Sequence, residues 1–291
     1  MFRIVSKIKN FSKRQFEFLR YEPSIIVYKI KFRQKLLMIR KSASLLSQQE
    51  PQISDLLTKG YTKIDFDTTD VDIVRKVAKR YCKLIKHKTF VQQPDERLNT
   101  KAFGKFLYNF KGSCKQFFPE LPYLIEKNMG NLLRAYFGAE YRITTIRMTR
   151  KRYLPLDSAV KEVYSNYWHF DFRRSETSWL MVTLCLNDHT DQESFQFFDL
   201  KTSATALKNG LHGRYPGNAL PEALKTESII TTGGPLGSCY VSNSADMLHR
   251  AGDVGPEKDR YVAFIFVGSD VPWPTDNGFQ RETPQTIPSD M

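Results

Sequence analysis

The hydrophobic pattern of this 291-residue chain changes its period near residue 140, and that change limits the possible folds more than any other feature. Before this point, apolar residues recur at helical spacing. From Tyr141 to Thr149, β-branched residues alternate with polar ones, which is typical of a strand with one buried face. A helical half followed by antiparallel strands predicts an α+β protein whose β part is a sandwich or a barrel. The strands are expected at residues 140–153, 164–172, 178–186, 194–199, 226–231, 237–243 and 260–268.

The first half of the chain predicts three helices that accompany the sheet. The first follows a short alternating strand at residues 60–66, and Thr68–Asp70 offers side chains suited to its N-cap. The second is expected at residues 103–118, a stretch rich in aromatic residues at helical spacing. The third is expected at residues 121–137, where Gly138 suits the position just after the helix end.

Residues 199–224 are predicted to form a long loop. The stretch contains three glycines and two prolines, and it is too long for a simple turn between strands. A long loop inside a compact β domain is more often functional than not. This loop is therefore expected to form part of the walls of a binding site.

The net charge of +13 is concentrated at the start of the chain. Residues 1–46 hold twelve Lys or Arg against two acids, a local balance of +10, so the remaining 245 residues carry only +3. We expect residues 1–50 to form a basic N-terminal extension packed on a main domain of residues 51–291, with its β core at about 140–270. The functional alternative is an electrostatic contact with an anionic membrane, polymer or substrate. Peripheral membrane contact through residues 1–46 stays open on this reading.

The cysteines and the apolar runs indicate a cytoplasmic protein. The four cysteines are scattered without a CxxC pair, which argues against a disulfide framework or a structural zinc site and favours a reducing compartment. No apolar run approaches the ~20 residues that a transmembrane helix needs. The first residues lack the uninterrupted apolar region of a secretory signal. Nucleic acid is not expected among the partners, and the oligomeric state is left open.

One group of residues suggests a metal site. His169 and Asp171 are two residues apart, so in a strand their side chains share a face. Two imidazoles and one carboxylate form the facial triad that holds non-haem Fe(II). His249, 80 residues further on, would be the second imidazole, brought alongside by strand pairing, and Arg260 follows eleven residues later. Taken alone, His169 would more often be an ordinary strand histidine.

This ordered set resembles the Fe(II)/2-oxoglutarate-dependent dioxygenases, and more narrowly the phytanoyl-CoA dioxygenase-like family, over roughly residues 60–270. The resemblance implies a double-stranded β-helix, a cupin-like jelly roll with helices packed on one face. It implies Fe(II) bound by His169, Asp171 and His249, with 2-oxoglutarate and O2 as cosubstrates. Arg260 would bind the distal carboxylate of 2-oxoglutarate, because a guanidinium pairs with a carboxylate through two hydrogen bonds. Phe170 departs from the family, whose members often carry a polar residue between the two ligands.

The resemblance also implies the reaction, which is hydroxylation of an unactivated C–H bond with release of succinate and CO2. Related halogenases replace the carboxylate ligand with a small residue, so Asp171 argues for hydroxylation rather than halogenation. The same iron site could instead run desaturation, epimerisation or cyclisation. The rival hypothesis is a non-catalytic jelly-roll binding protein that its basic N-terminus recruits to an anionic partner.

Further residues near the motif are candidates for ligand contacts. Arg147, on the strand before the motif, is expected to join Arg260 in binding 2-oxoglutarate. The arginines near the site favour a small substrate that carries a negative charge, although solvated strand arginines are the alternative. His87 and His189 have no partner at ligand spacing and are expected to be structural or surface residues. The candidate substrate contacts are Arg173, Arg174, Trp168 and His212.

Overall fold

A computed structural model describes residues 51–87, 107–110, 113–137, 140–153, 166–171, 179–209, 220 and 222–269. The helices among these residues are α1 (Pro51–Thr58), α2 (Thr68–Leu84), α3 (Cys114–Phe117), α4 (Glu120–Phe137), α5 (Leu200–Lys208) and α6 (Glu222–Lys225). The strands are β1 (Tyr61–Ile64), β2 (Leu107–Asn109), β3 (Tyr141–Arg152), β4 (Leu180–Cys185), β5 (Phe195–Phe197), β6 (Ile230–Thr231), β7 (Cys239–Ser242), β8 (His249–Ala251) and β9 (Asp259–Ser269). Within the described ranges, no helix is long and apolar enough to cross a bilayer.

The strands form two antiparallel sheets that pack against each other. The larger sheet has the strand order β1-β7-β4-β9-β3-β2, and the smaller one has the order β6-β5-β8. Phe264 on β9 and Phe195 on β5 meet between the sheets, with ring centroids 6.2 Å apart. This is the layered arrangement of a jelly roll, in which side chains from both inner faces fill the space between the sheets.

Strands β4 and β9 of the larger sheet are largely buried on both faces, and their side chains alternate between two surroundings. On β9, Ala263, Ile265 and Val267 belong to the main core, which also includes apolar side chains of α1, α2 and α4. Phe264 and Phe266 point the other way and join the apolar cluster between the two sheets. Because side chains alternate along a strand, Arg260 lies on this inner face as well.

Local side-chain contacts fix where α2 begins and how it meets α4. The side chain of Asp67 accepts a hydrogen bond from the backbone N–H of Asp70 at 2.8 Å, so the N-cap is Asp67 and not one of the residues at 68–70. Lys127 of α4 contacts the fully buried carboxylate of Asp70 at 2.7 Å. The predicted third helix is confirmed, since α4 spans Glu120–Phe137. Gly138 lies outside the described residues.

The helix expected at residues 103–118 is wrong in its middle. Leu107–Asn109 forms β2 and pairs with Thr149–Lys151 of β3. Among the described residues of this stretch, only Cys114–Phe117 is helical. The aromatic spacing fits a helix, but the open edge of β3 offers backbone hydrogen-bond partners that periodicity does not reveal. Residues 103–106 and 111–112 lie outside the described ranges.

The loop expected at residues 199–224 is also partly wrong, because it begins with a helix. Asp199 caps α5, its side chain accepting a hydrogen bond from the N–H of Thr202 at 2.7 Å. An Asp before an apolar-periodic stretch is a start signal for a helix, and the glycines and prolines further along obscured it. Four residues near the end, Glu222–Lys225, form α6. Residues 210–219, including His212, lie outside the described part of the chain.

The expected strands are confirmed with shorter bounds in most places. The predicted strand at 164–172 reduces, among the described residues 166–171, to the bridge residues Trp168 and His169, of which His169 pairs antiparallel with His249. The strand at 226–231 shrinks to Ile230–Thr231. Strand β8 was not among the predicted strands, because three residues give too little alternation to recognise. Residues 1–50 lie outside the described ranges, so the basic extension and the domain division stay predictions.

The packing of α4 on the larger sheet gives the first testable prediction. Leu133 on α4 is fully buried in the main core. We expect Leu133→Ala to lower the free energy of unfolding by about 2–5 kcal/mol, because it removes buried methyl groups and leaves a cavity. Tyr123→Ala on the same helix is the control, since Tyr123 is 55% exposed and its loss should change stability by less than about 1 kcal/mol. Urea unfolding measures both, and equal losses would contradict the assignment of this face of α4 to the core.

Candidate metal centre

Backbone pairing brings the three predicted ligands together. The N–H of His169 donates to the carbonyl of His249 at 2.9 Å, and the N–H of His249 donates to the carbonyl of His169 at 2.9 Å. The two imidazole centroids are 4.4 Å apart. Asp171 comes two residues after His169, so the pleat returns its side chain to the same face. The candidate ligand atoms of the three residues all lie within 4.8 Å of one another.

The backbone also sets the orientation of each ring. Nδ1 of His169 lies 2.6 Å from the carbonyl oxygen of Tyr167, and Nδ1 of His249 lies 2.8 Å from that of Met247. A carbonyl can only accept, so each neutral ring carries its proton on Nδ1 and its lone pair on Nε2. Both Nε2 atoms face Asp171, at 3.7 Å for His169 and 3.5 Å for His249. Histidines that bind a metal typically donate their other ring N–H to a carbonyl or a carboxylate in this way.

The electrostatics of the group suit a divalent cation. Burial, followed by the nearby His249, lowers the pKa of His169 to about 4, so that its ring is neutral at pH 7. Burial alone would raise the pKa of Asp171, but His249, His169 and Arg147 together lower it below its ordinary value. Burial opposes the charge on His249, while Asp171 raises its pKa. Without a metal, Asp171 favours the protonated form of His249. A metal ion bound here would supply the positive charge instead.

The donor set fits Fe(II). Two imidazole nitrogens and one carboxylate oxygen on one side of an ion are the facial triad of non-haem iron, and they leave further coordination positions open. Among the described residues, this is the group of His, Cys, Asp and Glu side chains close enough to share an ion. The structure therefore brings the three predicted residues together, and their role as metal ligands stays a prediction.

Arg260 lies between the sheets, away from solvent. Its side chain is 3% exposed, and Nη1 donates to the carbonyl of Glu193 at 2.7 Å. Its Nε is buried with no hydrogen-bond partner among the described residues, and the same holds for the hydroxyl of Thr183 on β4. Burial lowers the pKa of Arg260 to about 10, which leaves it cationic at neutral pH. Buried donors of this kind usually have an acceptor, so this space between the sheets suits an anionic ligand.

Aromatic contacts connect Arg260 with the triad. The ring of Phe195 lies 5.1 Å from the imidazole of His249 and 6.2 Å from the ring of Phe264. Phe264 is four residues along β9 from Arg260, on the same inner face. A ligand that reaches from the triad to Arg260 would therefore pass beside apolar walls that exclude water.

Arg147 lies at the triad end of the inner face. Its guanidinium is over the ring of Phe266 at 5.6 Å, its side chain keeps solvent access, and its charge acts on Asp171. It is four residues along β3 from Lys151, the cross-strand partner of Arg260, a separation of about 13 Å at strand geometry. The two predicted 2-oxoglutarate arginines are thus at different ends of the inner face, and the role of Arg147 stays a prediction.

The remaining predicted contacts are differently placed. Trp168 is buried, its ring centroid 4.7 Å from that of Phe198 and its ring beneath the guanidinium of Arg250 at 5.3 Å. It packs in a separate apolar cluster with Phe198 and Leu248, so the structure gives no support to a substrate contact. Arg173, Arg174 and His212 lie outside the described ranges, and their roles stay predictions. Sequence reasoning missed Lys151, although its alternation with Arg147 places it on the inner face of β3.

Comparison with known proteins supports the fold. No family model matches the chain, and no curated protein matches it. Three solved structures illustrate the likeness. The alpha ketoglutarate dependent epimerase SnoN from nogalamycin biosynthesis aligns with a TM-score of 0.52 at 14% identity, over 77% of this chain and 84% of that one. EctD from S. alaskensis, with 2-oxoglutarate and 5-hydroxyectoine, gives 0.53 at 15% identity, over 81% and 85%.

The third structure is the alpha ketoglutarate dependent carbocyclase SnoK from nogalamycin biosynthesis, with a TM-score of 0.50 at 13% identity, over 78% of this chain and 86% of that one. SnoN has also been crystallised with Fe3+, alpha ketoglutarate and nogalamycin RO. At these identities the likeness shows the fold. The jelly-roll architecture expected from the sequence is therefore confirmed, and it is an architecture that other proteins use for iron- and 2-oxoglutarate-dependent chemistry.

The geometry predicts how metal binding responds to loss of the carboxylate. We expect Asp171→Ala to weaken Co(II) binding, used as a stable probe for Fe(II), by about 100-fold or more, because it removes one of three ligands and the negative charge. Asp65→Ala is the matched control, since Asp65 is an exposed partner of Lys63. Equilibrium dialysis with metal analysis measures both affinities. Equal Co(II) affinity in the Asp171 variant and the wild type would refute the metal site.

Proposed function

We propose that this chain is an Fe(II)- and 2-oxoglutarate-dependent oxygenase. The observation that supports this most directly is the convergence of His169, Asp171 and His249 within 4.8 Å, with the lone pairs of both Nε2 atoms on the side of the carboxylate. The site lies inside a jelly roll that also buries Arg260 between its sheets. As a finer assignment, we propose membership of the phytanoyl-CoA dioxygenase-like family, based on the order and spacing of these four residues.

The residues of the site would divide the work of such an oxygenase into metal binding, cosubstrate binding and exclusion of water. His169, Asp171 and His249 would hold Fe(II), and Arg260 would bind the distal carboxylate of 2-oxoglutarate through its guanidinium. Iron and 2-oxoglutarate, when bound, supply the O2-dependent oxidation of a substrate C–H bond with release of succinate and CO2. Phe195 and Phe264 would exclude water from the space between the iron ligands and Arg260.

Hydroxylation is the reaction we favour. Asp171 keeps its place in the triad, which in this class of site supports hydroxylation over halogenation. Epimerisation and cyclisation are the second candidates, because SnoN is described as an epimerase and SnoK as a carbocyclase on the same architecture. A non-catalytic binding protein is disfavoured, since it would hold two buried imidazoles and a half-buried carboxylate together without a ligand to offset their desolvation.

The substrate is proposed to be a small molecule with a negative charge. Arg147 supports this, because it retains solvent access beside the triad, with its guanidinium over an aromatic ring. Two proteins of similar structure have been crystallised with small molecules, SnoN with nogalamycin RO and EctD with 5-hydroxyectoine. Membrane contact through residues 1–46 and a cytoplasmic location remain proposals that rest on composition alone.

The proposed function predicts succinate formation without added substrate. Wild-type protein, reconstituted anaerobically with Fe(II) and then given 2-oxoglutarate and O2, should form succinate slowly. His169→Ala should reduce this rate by about 100-fold or more, because the iron loses a ligand. His87→Ala, at a position just after α2, is the control and should match the wild type. If wild-type protein that has bound iron forms no succinate, the proposed oxygenase function is wrong.

Arg260 should contribute to binding at the expense of stability. We expect Arg260→Met to weaken 2-oxoglutarate binding by about 10- to 100-fold, since a charge-assisted pair is lost. The same variant without ligand should melt at or above the wild-type temperature, because a buried cation with an unpaired Nε is replaced by an apolar side chain of similar length. Calorimetric titration and thermal melting test the two halves. A large fall in melting temperature with unchanged affinity would show that Arg260 is structural.

A further inference from the structure

A second buried cation lies directly beside Arg260. Lys151 on β3 is its cross-strand partner, and the two side chains are 1% and 3% exposed. The neighbours Arg150 and Tyr261 point to the opposite face, where the guanidinium of Arg150 lies over the Tyr261 ring at 5.7 Å. Alternation along both strands therefore directs Lys151 and Arg260 to the same inner face.

Both cations reach the same piece of backbone. The ammonium of Lys151 donates to the carbonyl of Gly252 at 2.6 Å and also contacts Oδ1 of Asn166. Nη1 of Arg260 donates to the carbonyl of Glu193 at 2.7 Å. The N–H of Gly252 in turn donates to the carbonyl of Ser194 at 2.7 Å, so the two accepting carbonyls belong to adjoining, hydrogen-bonded segments. The positive ends of the two side chains are thus neighbours.

Among the described residues, neither side chain pairs directly with a carboxylate, although the charges of the buried Glu193 and of Asp253 act on Arg260. The carboxylate of Glu193 accepts from the N–H and hydroxyl of Thr190 and pairs with Lys258. Asp253 is exposed and accepts from Nδ2 of Asn166 at 3.1 Å. Burial and the adjacent Arg260 charge hold the pKa of Lys151 well below its ordinary value, and they lower that of His189 to about 4. The electrostatic potential around Lys151 and Arg260 is therefore positive, and a bound anion would offset the cost of burying the two charges.

We propose that Lys151 and Arg260 together bind the distal carboxylate of the 2-oxo acid, and that Lys151 makes the site selective for a dicarboxylate. The inference rests on the proposed function and deepens it, since the resemblance assigns this carboxylate to Arg260 alone. Arg260 has a buried Nε without a described partner, and an ammonium has three donors, of which two have described acceptors. A carboxylate has enough acceptor sites for both side chains.

A purely structural Lys151 is the competing explanation. In that case the ammonium would only fasten Gly252 and Asn166, and so support the segment that begins with His249. Loss of such a fastening would disturb the site as a whole and weaken every ligand alike. A charge that binds the distal carboxylate would instead discriminate between a dicarboxylate and its monocarboxylate analogue. The two explanations therefore predict different ratios of affinities.

The experiment compares 2-oxoglutarate with 2-oxopentanoate, which has the same carbon chain and a methyl group in place of the distal carboxylate. Calorimetry on the full, Fe(II)-loaded protein without O2 gives Kd for both acids. Wild type should bind 2-oxoglutarate more tightly. In Lys151→Met and Lys151→Gln this preference should fall by about 10-fold or more, with the affinity for 2-oxopentanoate nearly unchanged. Glutamine keeps hydrogen-bonding capacity toward Gly252 and Asn166, and so provides a folded variant if methionine does not.

Lys258→Gln is the matched control, because it removes an exposed lysine from the same end of the barrel. It should leave the preference intact, since exposed charges are screened by solvent. Equal weakening of both acids in the Lys151 variants, or an unchanged preference, would overturn the assignment of Lys151 while leaving the oxygenase proposal in place. Failure of the iron-loaded wild type to bind either acid would overturn the proposed function, and the role of Lys151 with it.

Discussion

The pair of backbone hydrogen bonds between His169 and His249 is the interaction on which the rest of the site depends. It joins two segments that are 80 residues apart in the chain and sets their register to a single residue. A slip of one residue would turn both imidazoles to the opposite face, where Trp168 and Leu248 now pack in an apolar cluster. The metal centre is therefore a property of strand register, and the larger sheet with its helices provides the rigid support for that register.

The space between the two sheets has an ordered distribution of charge. The triad and Arg147 lie at one end, where a carboxylate and a cation act on each other. Lys151 and Arg260 lie at the other end as two adjacent buried cations. Phe195 and Phe264 separate the two ends with apolar surface. Such an arrangement suits an elongated ligand with a metal-binding group at one end and a negative charge at the other.

The sequence predicted those parts of the site that follow from spacing. The i, i+2 relation of His169 and Asp171 fixes a common face in any extended segment, and Arg260 begins a long strand whose alternation is easy to recognise. Spacing does not single out Lys151, because its importance comes from Arg260 on another strand. The order of strands in a sheet cannot be predicted from the spacing within a single sequence. The helix wrongly expected around Leu107–Asn109 failed for a similar reason, since the edge of β3 decides its conformation. Capping by Asp199 was visible in the sequence but obscured by the glycines and prolines that follow.

The orientation of the two imidazoles has a consequence for how freely the surrounding sequence can vary. Each ring is held by a carbonyl two residues earlier in its own segment, that of Tyr167 for His169 and that of Met247 for His249. A main-chain oxygen is present whatever side chain the residue carries. The tautomer and direction of both rings are thus insulated from substitution at the neighbouring positions. A centre built in this way can keep its geometry while the sequence around it drifts, which suits an architecture still shared with other proteins at 13–15% identity.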